Sequence, residues 1–296
     1  MSPPLDRDGD APISLPLRPN ERPPSLRPIR KDEVDILERG VHIESWLPER
    51  RSRRRPLLLV HGELGGSWLW HRYQEYFAQR GWEGHALNLR GHYWSDTTDY
   101  ETLDFATYVG DVEAAVDRLG GNVVIVGHGV GGLLALKTAE LRPIAGLVLI
   151  SPALPAALRT PARLHQLRAV PEVFRRDLVG WAGMPEQLRR HNPDLTIADV
   201  LRVQHMMGAE SGQARRDVLA GVQVDRAAVG EGTAMLVVGG GLDRLYPEGD
   251  SERLAAWLGA EYQPYGAHSH YGLVLGEESH EQVAASIRAF LEEHRL

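Results

Sequence analysis

The chain has no cysteine. Disulfides, thiolate metal sites and cysteine nucleophiles are excluded together, the redox compartment is left open, and any covalent chemistry must use oxygen or nitrogen. Also missing is any run of about 18 uninterrupted apolar residues, the length that spans a membrane. The opening stretch, MSPPLDRDGDAPISLPLRPNERPP, holds no apolar core of signal-peptide length. The resulting expectation is a soluble, cytoplasmic protein with no membrane partner. A basic excess is lacking too: the net charge is −7 and the pI is near 6.0, which argues against nucleic acid as a partner. The one dense cationic stretch, PERRSRRRP at 48–56, directly precedes an apolar strand and reads as solvated loop surface, with an anionic partner or membrane surface as the weaker alternative. No metal-ligand spacing occurs, and His268-x-His270 alone does not make a zinc site. No metal and no cofactor are expected.

What is present is a chain of 296 residues, 43% of them hydrophobic, enough for a sizeable core. Residues 1–30 are rich in proline and charge without apolar periodicity and read as a disordered arm. EVDILERGVHIESW at 33–46 alternates on both sides of Arg39-Gly40, as a hairpin does. PLLLVHG at 56–62 is a short apolar run between proline and glycine, suited to a central parallel strand. Beyond it, helical patterns at 67–80, 104–119, 131–141, 248–258 and 278–294 interleave with strand patterns at 83–89, 122–127, 144–150, 233–239 and 260–264. That alternation predicts an α/β fold: a mainly parallel, doubly wound sheet with helices on both faces. Between 152 and 228 it stops, and strand-free pieces such as AALRTPARLHQL, PEVFRRDLVGW and TIADVLRVQHMMG predict a helical cap over the sheet's C-terminal edge. The core is thereby divided into 31–151 and 229–296.

Four landmarks carry chemistry, the last of them a pair of stretches. HGELGGSWLW at 61–70 ends a strand in a glycine-bearing loop, and LNLRGHYWSD at 87–96 is a compact turn. VVIVGHGVGG at 123–132 is a strand that runs through glycines into a helix. AMLVVGGGLDRLYP at 234–247 and GAHSHYGLVLGE at 266–277 then supply an acid and a histidine 27 residues apart. In this order the residues resemble the α/β-hydrolase superfamily over roughly 33–296. The resemblance implies that Asp243 is the triad acid, and it leaves two histidines competing for the base. The His-x-x-Leu spacing favours His270, with His268 a neighbour lining the site. It further implies an oxyanion hole made by the backbone N–H groups of Glu63 and Val130, with His61, Gly62 and His128 close by. The turn at 87–96 departs from the family's pattern, because Tyr93 stands where a glycine is usual.

The larger departure is at the elbow. The pattern Gly-x-nucleophile-x-Gly is met by Gly127, His128, Gly129, Val130 and Gly131, so the nucleophile position is Gly129. Glycine has no side chain and closes the acyl-enzyme route, yet it accepts the strained turn and leaves room for a water or a substrate group. The same letters satisfy G-x-G-x-x-G through Gly127, Gly129 and Gly132, a dinucleotide fingerprint. The following strand, GLVLISP, ends without the acid that would hold a ribose, which weighs against an NAD(P)-binding oxidoreductase. Glu63 is a candidate general acid if desolvated. Ser67 reads as a helix N-cap and His128 as a packed polar residue. Trp68, Trp70, Tyr93 and Trp94, with His205, Met206 and Met207, are candidates to line an apolar pocket or simply to pack.

These residues point to an enzyme acting on a small to medium apolar substrate with a carbonyl or ester group, through Asp243 and His270 and without a serine nucleophile. The step would be hydrolysis by activated water, or a lyase, isomerase or cyclisation reaction. Two alternatives stay open: a non-catalytic ligand-binding relative, and a serine esterase whose nucleophile has been replaced by Gly129. Neither the substrate nor the oligomeric state is legible.

Overall fold

Apolar strands buried on both faces organise the computed structural model, which describes residues 28–50, 53–230 and 232–296. The hairpin strands β1 (Ile29–Ile36) and β2 (Val41–Pro48) come first, then β3 (Leu57–Val60), α1 (His71–Ala78), β4 (Gly84–Asn88), α2 (Phe105–Arg118), β5 (Val124–His128), α3 (Val130–Leu141) and β6 (Gly146–Ile150). A segment of short elements follows: α4 (Leu164–Arg168), β7 (Val173–Phe174), α5 (Pro185–His191), α6 (Ile197–Met206), β8 (Glu210–Ser211) and α7 (Gly212–Ala220). The chain then returns through β9 (Ala234–Gly240), α8 (Glu248–Leu258), β10 (Glu261–Tyr265), α9 (Gly272–Leu275) and α10 (Ser279–Glu293). Most of the proline-rich arm lies outside the described residues, as do Arg51 and Ser52 of the arginine run. Ile29 and Arg30, expected within the arm, instead open β1.

The eight-stranded sheet has the order β1-β2-β4-β3-β5-β6-β9-β10, antiparallel only at β1–β2 and β2–β4. Alternate residues of β3 face opposite layers: Leu58 and Val60 pack with α2 and α3, Leu57 and Leu59 with α1 and α10. The helix α3 is apolar nearly all round because it packs against α2 as well as on the sheet. Asp104 caps α2 by accepting from the Thr107 N–H at 2.8 Å. From β3 the chain turns to β4 on one side and then to β5 on the other. The topological switch point, where ligands of open α/β sheets bind, thus lies between the loops after β3 and β5. Among the described residues no helix is long and apolar enough to cross a membrane.

The segment between β6 and β9 departs from the expectation in two ways. PEVFRRDLVGW forms no helix, and its Val173 and Phe174 pair with Ser211 and Glu210 in a two-residue antiparallel bridge, so the segment is not strand-free. Short apolar runs broken by proline and glycine do not reveal such a bridge, because its partner is 36 residues away.

Glu210 ties this segment to the sheet. Its Oε2 accepts from the Leu64 N–H at 3.1 Å and from His92 Nε2 at 3.0 Å, while its Oε1 accepts from the Tyr108 hydroxyl at 2.7 Å and the Ser211 N–H at 2.9 Å. His92 Nδ1 donates to the Arg90 carbonyl, so both ring nitrogens are donors and the ring is an imidazolium. Burial alone would raise the Glu210 pKa, but the His92 charge and these hydrogen bonds outweigh it and hold the carboxyl at about 2. Burial opposes the His92 charge as well, and Glu210 overcomes it, so that pKa is raised.

The signs fix a pH window. Glu210, depressed from 4.5, contributes stability that is full above 4.5 and lost as pH falls toward about 2. His92, raised from 6.5, contributes fully below 6.5 and loses its contribution as pH rises through its elevated value. Denaturant titrations should therefore show the pair most stabilising between about pH 4.5 and 6.5. There, Glu210→Gln should cost about 3 kcal/mol. Equal stability of the two proteins across that range would show that the pair does not anchor the segment.

Candidate active site

The turn from β5 into α3 is built by close backbone packing. A Cβ at Gly127 would lie 2.3 Å from the Gly131 carbonyl oxygen, and one at Gly131 would lie 2.3 Å and 2.4 Å from those of His61 and Val60. Gly62 approaches the same turn from β3, its absent Cβ placed 3.0 Å from the His128 carbonyl oxygen. These contacts set the loop after β3 against the start of α3. Gly129 sits at the apex with φ 59° and ψ −123°, a backbone conformation that disfavours a side chain. Among the described residues, the N–H groups of Glu63 and Val130 donate to no protein acceptor.

Asp243 follows β9, and its Oδ1 accepts from the N–H groups of Leu245 and Tyr246 at 2.7 and 2.8 Å. The Oδ2 receives His270 Nδ1 at 2.7 Å. Burial works against the Asp243 charge, but His270 and the backbone donors prevail and its pKa is lowered. With Nδ1 donating, His270 Nε2 carries the lone pair. That nitrogen lies 3.3 Å from where a Cβ at position 129 would be, and the Tyr246 ring edge lies 3.5 Å from the same point. His128 packs against His270 with its ring tilted by 33° and the centroids 4.0 Å apart, and donates from Nε2 to the His270 carbonyl at 3.0 Å. Burial, followed by the His270 charge, pushes the His128 pKa well down and keeps the ring neutral.

The other expected residues divide. His61 is buried, donating to the Gly62 carbonyl and accepting from the Leu89 N–H; burial and His92 lower its pKa to about 3. Glu63 borders the site, its carboxylate 2.7 Å from Arg215 Nη1 on α7. Burial raises the Glu63 pKa, Arg215 opposes this and Glu210 adds to it, and the net direction is up. His268 packs its ring on Tyr265 and makes no hydrogen bond to Asp243, so the acid is taken by His270 alone. Ser67 caps nothing: its hydroxyl donates to Glu44 Oε2 at 2.8 Å, and the turn's N-cap is Gly66. Trp68 and Trp70 are fully buried in the core under the sheet, whereas Trp94 is 63% exposed; none of them borders the site. Tyr93 adopts φ 49°, the left-handed conformation that the glycine of the related turn would supply.

Two cavities meet here. A recess of about 10 Å3, at the lower limit for one water, is bounded by Gly129, Val130, His270, Tyr271 and Glu63. It shares Glu63, Leu245 and Tyr246 with a cavity of about 660 Å3 that lies between the inserted segment and α8. Sequence reasoning missed the residues that furnish this larger space, namely Arg159, Arg215 and Tyr246. Tyr246 alone was within reach, three residues beyond the predicted acid; the arginines lie in the segment whose pattern carries no register.

The chain matches the model of the alpha/beta hydrolase family over residues 57–286. It is 33% identical over 116 residues to Lipase LipV of Mycobacterium tuberculosis, a match that spans 38% of this chain and 42% of that relative. Among solved structures, a bromoperoxidase from Bacillus anthracis superposes with a TM-score of 0.67 at 14% identity, covering 89% of this chain and 100% of the other. A thermophilic esterase from Thermogutta terrifontis superposes with a TM-score of 0.67 at 18% identity, covering 90% and 100%. At these identities the structural likeness concerns the fold. The family match covers most of the chain, has its boundaries on the sheet and helices described above, and contains the elbow, Asp243 and His270: the chain belongs to the alpha/beta hydrolase family.

Proposed function

We propose that the chain is an enzyme in which His270, oriented by Asp243, removes a proton from a water or from the substrate itself over Gly129, with no covalent intermediate. The observation that carries this reading is the 3.3 Å between His270 Nε2 and the place of a Cβ at position 129: the base faces the position a nucleophile would fill. A water or a substrate O–H or C–H held there is within reach of the lone pair. Proton removal creates an imidazolium, which the Asp243 carboxylate stabilises from the other side of the ring. Charge that develops on a carbonyl oxygen is received by the N–H groups of Glu63 and Val130. The substrate is a small molecule with a carbonyl or ester group, held in the larger cavity and reaching the recess past Tyr246.

The buried Asp243–His270 pair favours catalysis over ligand binding alone. The Asp243 carboxylate, whose side chain is 0% exposed, is desolvated against an imidazole, and an apolar pair of similar volume would serve stability as well or better.

Position 129 gives the sharpest test. Gly129→Ser should acquire turnover of p-nitrophenyl acetate and lose about 1–3 kcal/mol of stability, because serine must adopt the strained elbow conformation. A folded variant without esterase activity would overturn the elbow assignment. In that background, Asp243→Asn should lower kcat about 10³–10⁴-fold by losing the orienting carboxylate. For the natural chain, a panel of small carbonyl compounds and esters should include one turned over well above the rate of His270→Ala; identical rates across the panel would leave a binding protein.

A further inference from the structure

The 660 Å3 cavity is of ligand size, but its wall is not the usual apolar one. Leu154, Leu158 and Val218 share it with three arginines and two carboxylates. Two of the arginines are neutralised: Arg215 bonds Glu63 at 2.7 Å, and Arg253 bonds Asp250 at 2.6 Å. Arg159 is not. It has no carboxylate within salt-bridge distance among the described residues, its Nη1 donates to the Val218 carbonyl, and its Nε is buried without a partner. The wall thus carries one uncompensated positive charge, on a guanidinium whose fork is oriented by a main-chain oxygen.

We infer that the cavity takes a small molecule bearing an anionic head group, a carboxylate or a phosphate, bound by Arg159. The inference rests on reading this cavity as the substrate site. A guanidinium presents donors in a planar fork that matches either oxyanion, and such charge-assisted bonds are the strong ones. Burial pushes the Arg159 pKa down, with Tyr246 and Asp250 opposing, so its charge is held at a cost that an anion would offset. Arg159 borders the large cavity but not the recess, whereas Glu63, Leu245 and Tyr246 border both. An anion on Arg159 therefore fixes one end of the substrate and sends the other past Tyr246 toward His270.

Ligand-observed NMR titrations of the full chain with hexanoate, hexanamide and butyl phosphate test this. Hexanoate should bind at least about tenfold more tightly than the isosteric amide, and the preference should disappear in Arg159→Gln while persisting in His270→Gln. Butyl phosphate outcompeting hexanoate with the same dependence on Arg159 would identify a phosphate as the head group; the reverse order would identify a carboxylate. Equal binding of acid and amide, no binding of any probe, or a preference that survives in folded Arg159→Gln would overturn the inference. Should Arg159→Gln fail to fold, Arg159→Lys takes its place: a weakened preference supports the site and an undiminished one overturns it. Retained preference in a chain that turns over no substrate would remove the enzymatic reading and leave the anion site standing.

Discussion

The start of α3 lies directly against the carbonyls that end β3, and the geometry of the sheet's C-terminal edge depends on that approach. With Gly131 placed 2.4 Å or less, in notional Cβ distance, from the Val60 and His61 oxygens, no other residue fits without moving a strand or a helix. The approach has two consequences. It sets the N–H of Val130 beside the loop that carries the N–H of Glu63, and it aims position 129 outward at His270. A methyl group at 131 would separate the two loops, and the recess between them would lose its shape although none of its polar groups had changed.

That constraint explains why so much was legible. Gly127, Gly129 and Gly131 are spaced by the turn itself, so the elbow shows in five letters, and the alternation of short apolar runs with helical periods gives the succession of strands and helices. Asp243 and His270 were readable because each follows its strand by a short, fixed loop. Between His268 and His270 the sequence shows only a preference; it is the loop conformation that places His270 on Asp243 and His268 on Tyr265. Between β6 and β9 legibility failed. The elements there are short, their register is set by contacts with distant residues, and neither the bridge from Val173 and Phe174 to Glu210 and Ser211 nor the pairing of Glu63 with Arg215 has a local signature. Ser67 was misread for a similar reason: a serine before an apolar run suits an N-cap, but Glu44 across the sheet offers its hydroxyl a better acceptor.

The inserted segment reaches the loop after β3. Glu210 holds the Leu64 N–H, and Leu64 is itself in a positive-φ conformation at 62°, so a carboxylate from the segment stabilises the strained residue next to Glu63. The loop after β3 is thus held from below by glycine contacts and from above by an ion pair. Displacement of the segment would release both the loop and the Arg215 that compensates Glu63. Placement of the proposed oxyanion donors is therefore coupled to docking of the segment.

Glycine at the elbow changes the energetics as well as the chemistry. A side chain there must be held at φ 59° and ψ −123°, a strain of about 1–3 kcal/mol that glycine does not incur. The chain is relieved of that strain while it retains the desolvated Asp243 carboxylate, so relief was not extended to the whole site. A reaction that needs a base and an oxyanion hole, but whose nucleophile or transferable proton arrives with the substrate, would be compatible with this combination. Such a reaction needs the substrate to be positioned by groups away from position 129, since no covalent bond will hold it. A charged wall in the larger cavity, with one guanidinium that pairs with no carboxylate among the described residues, is a means of positioning suited to that need.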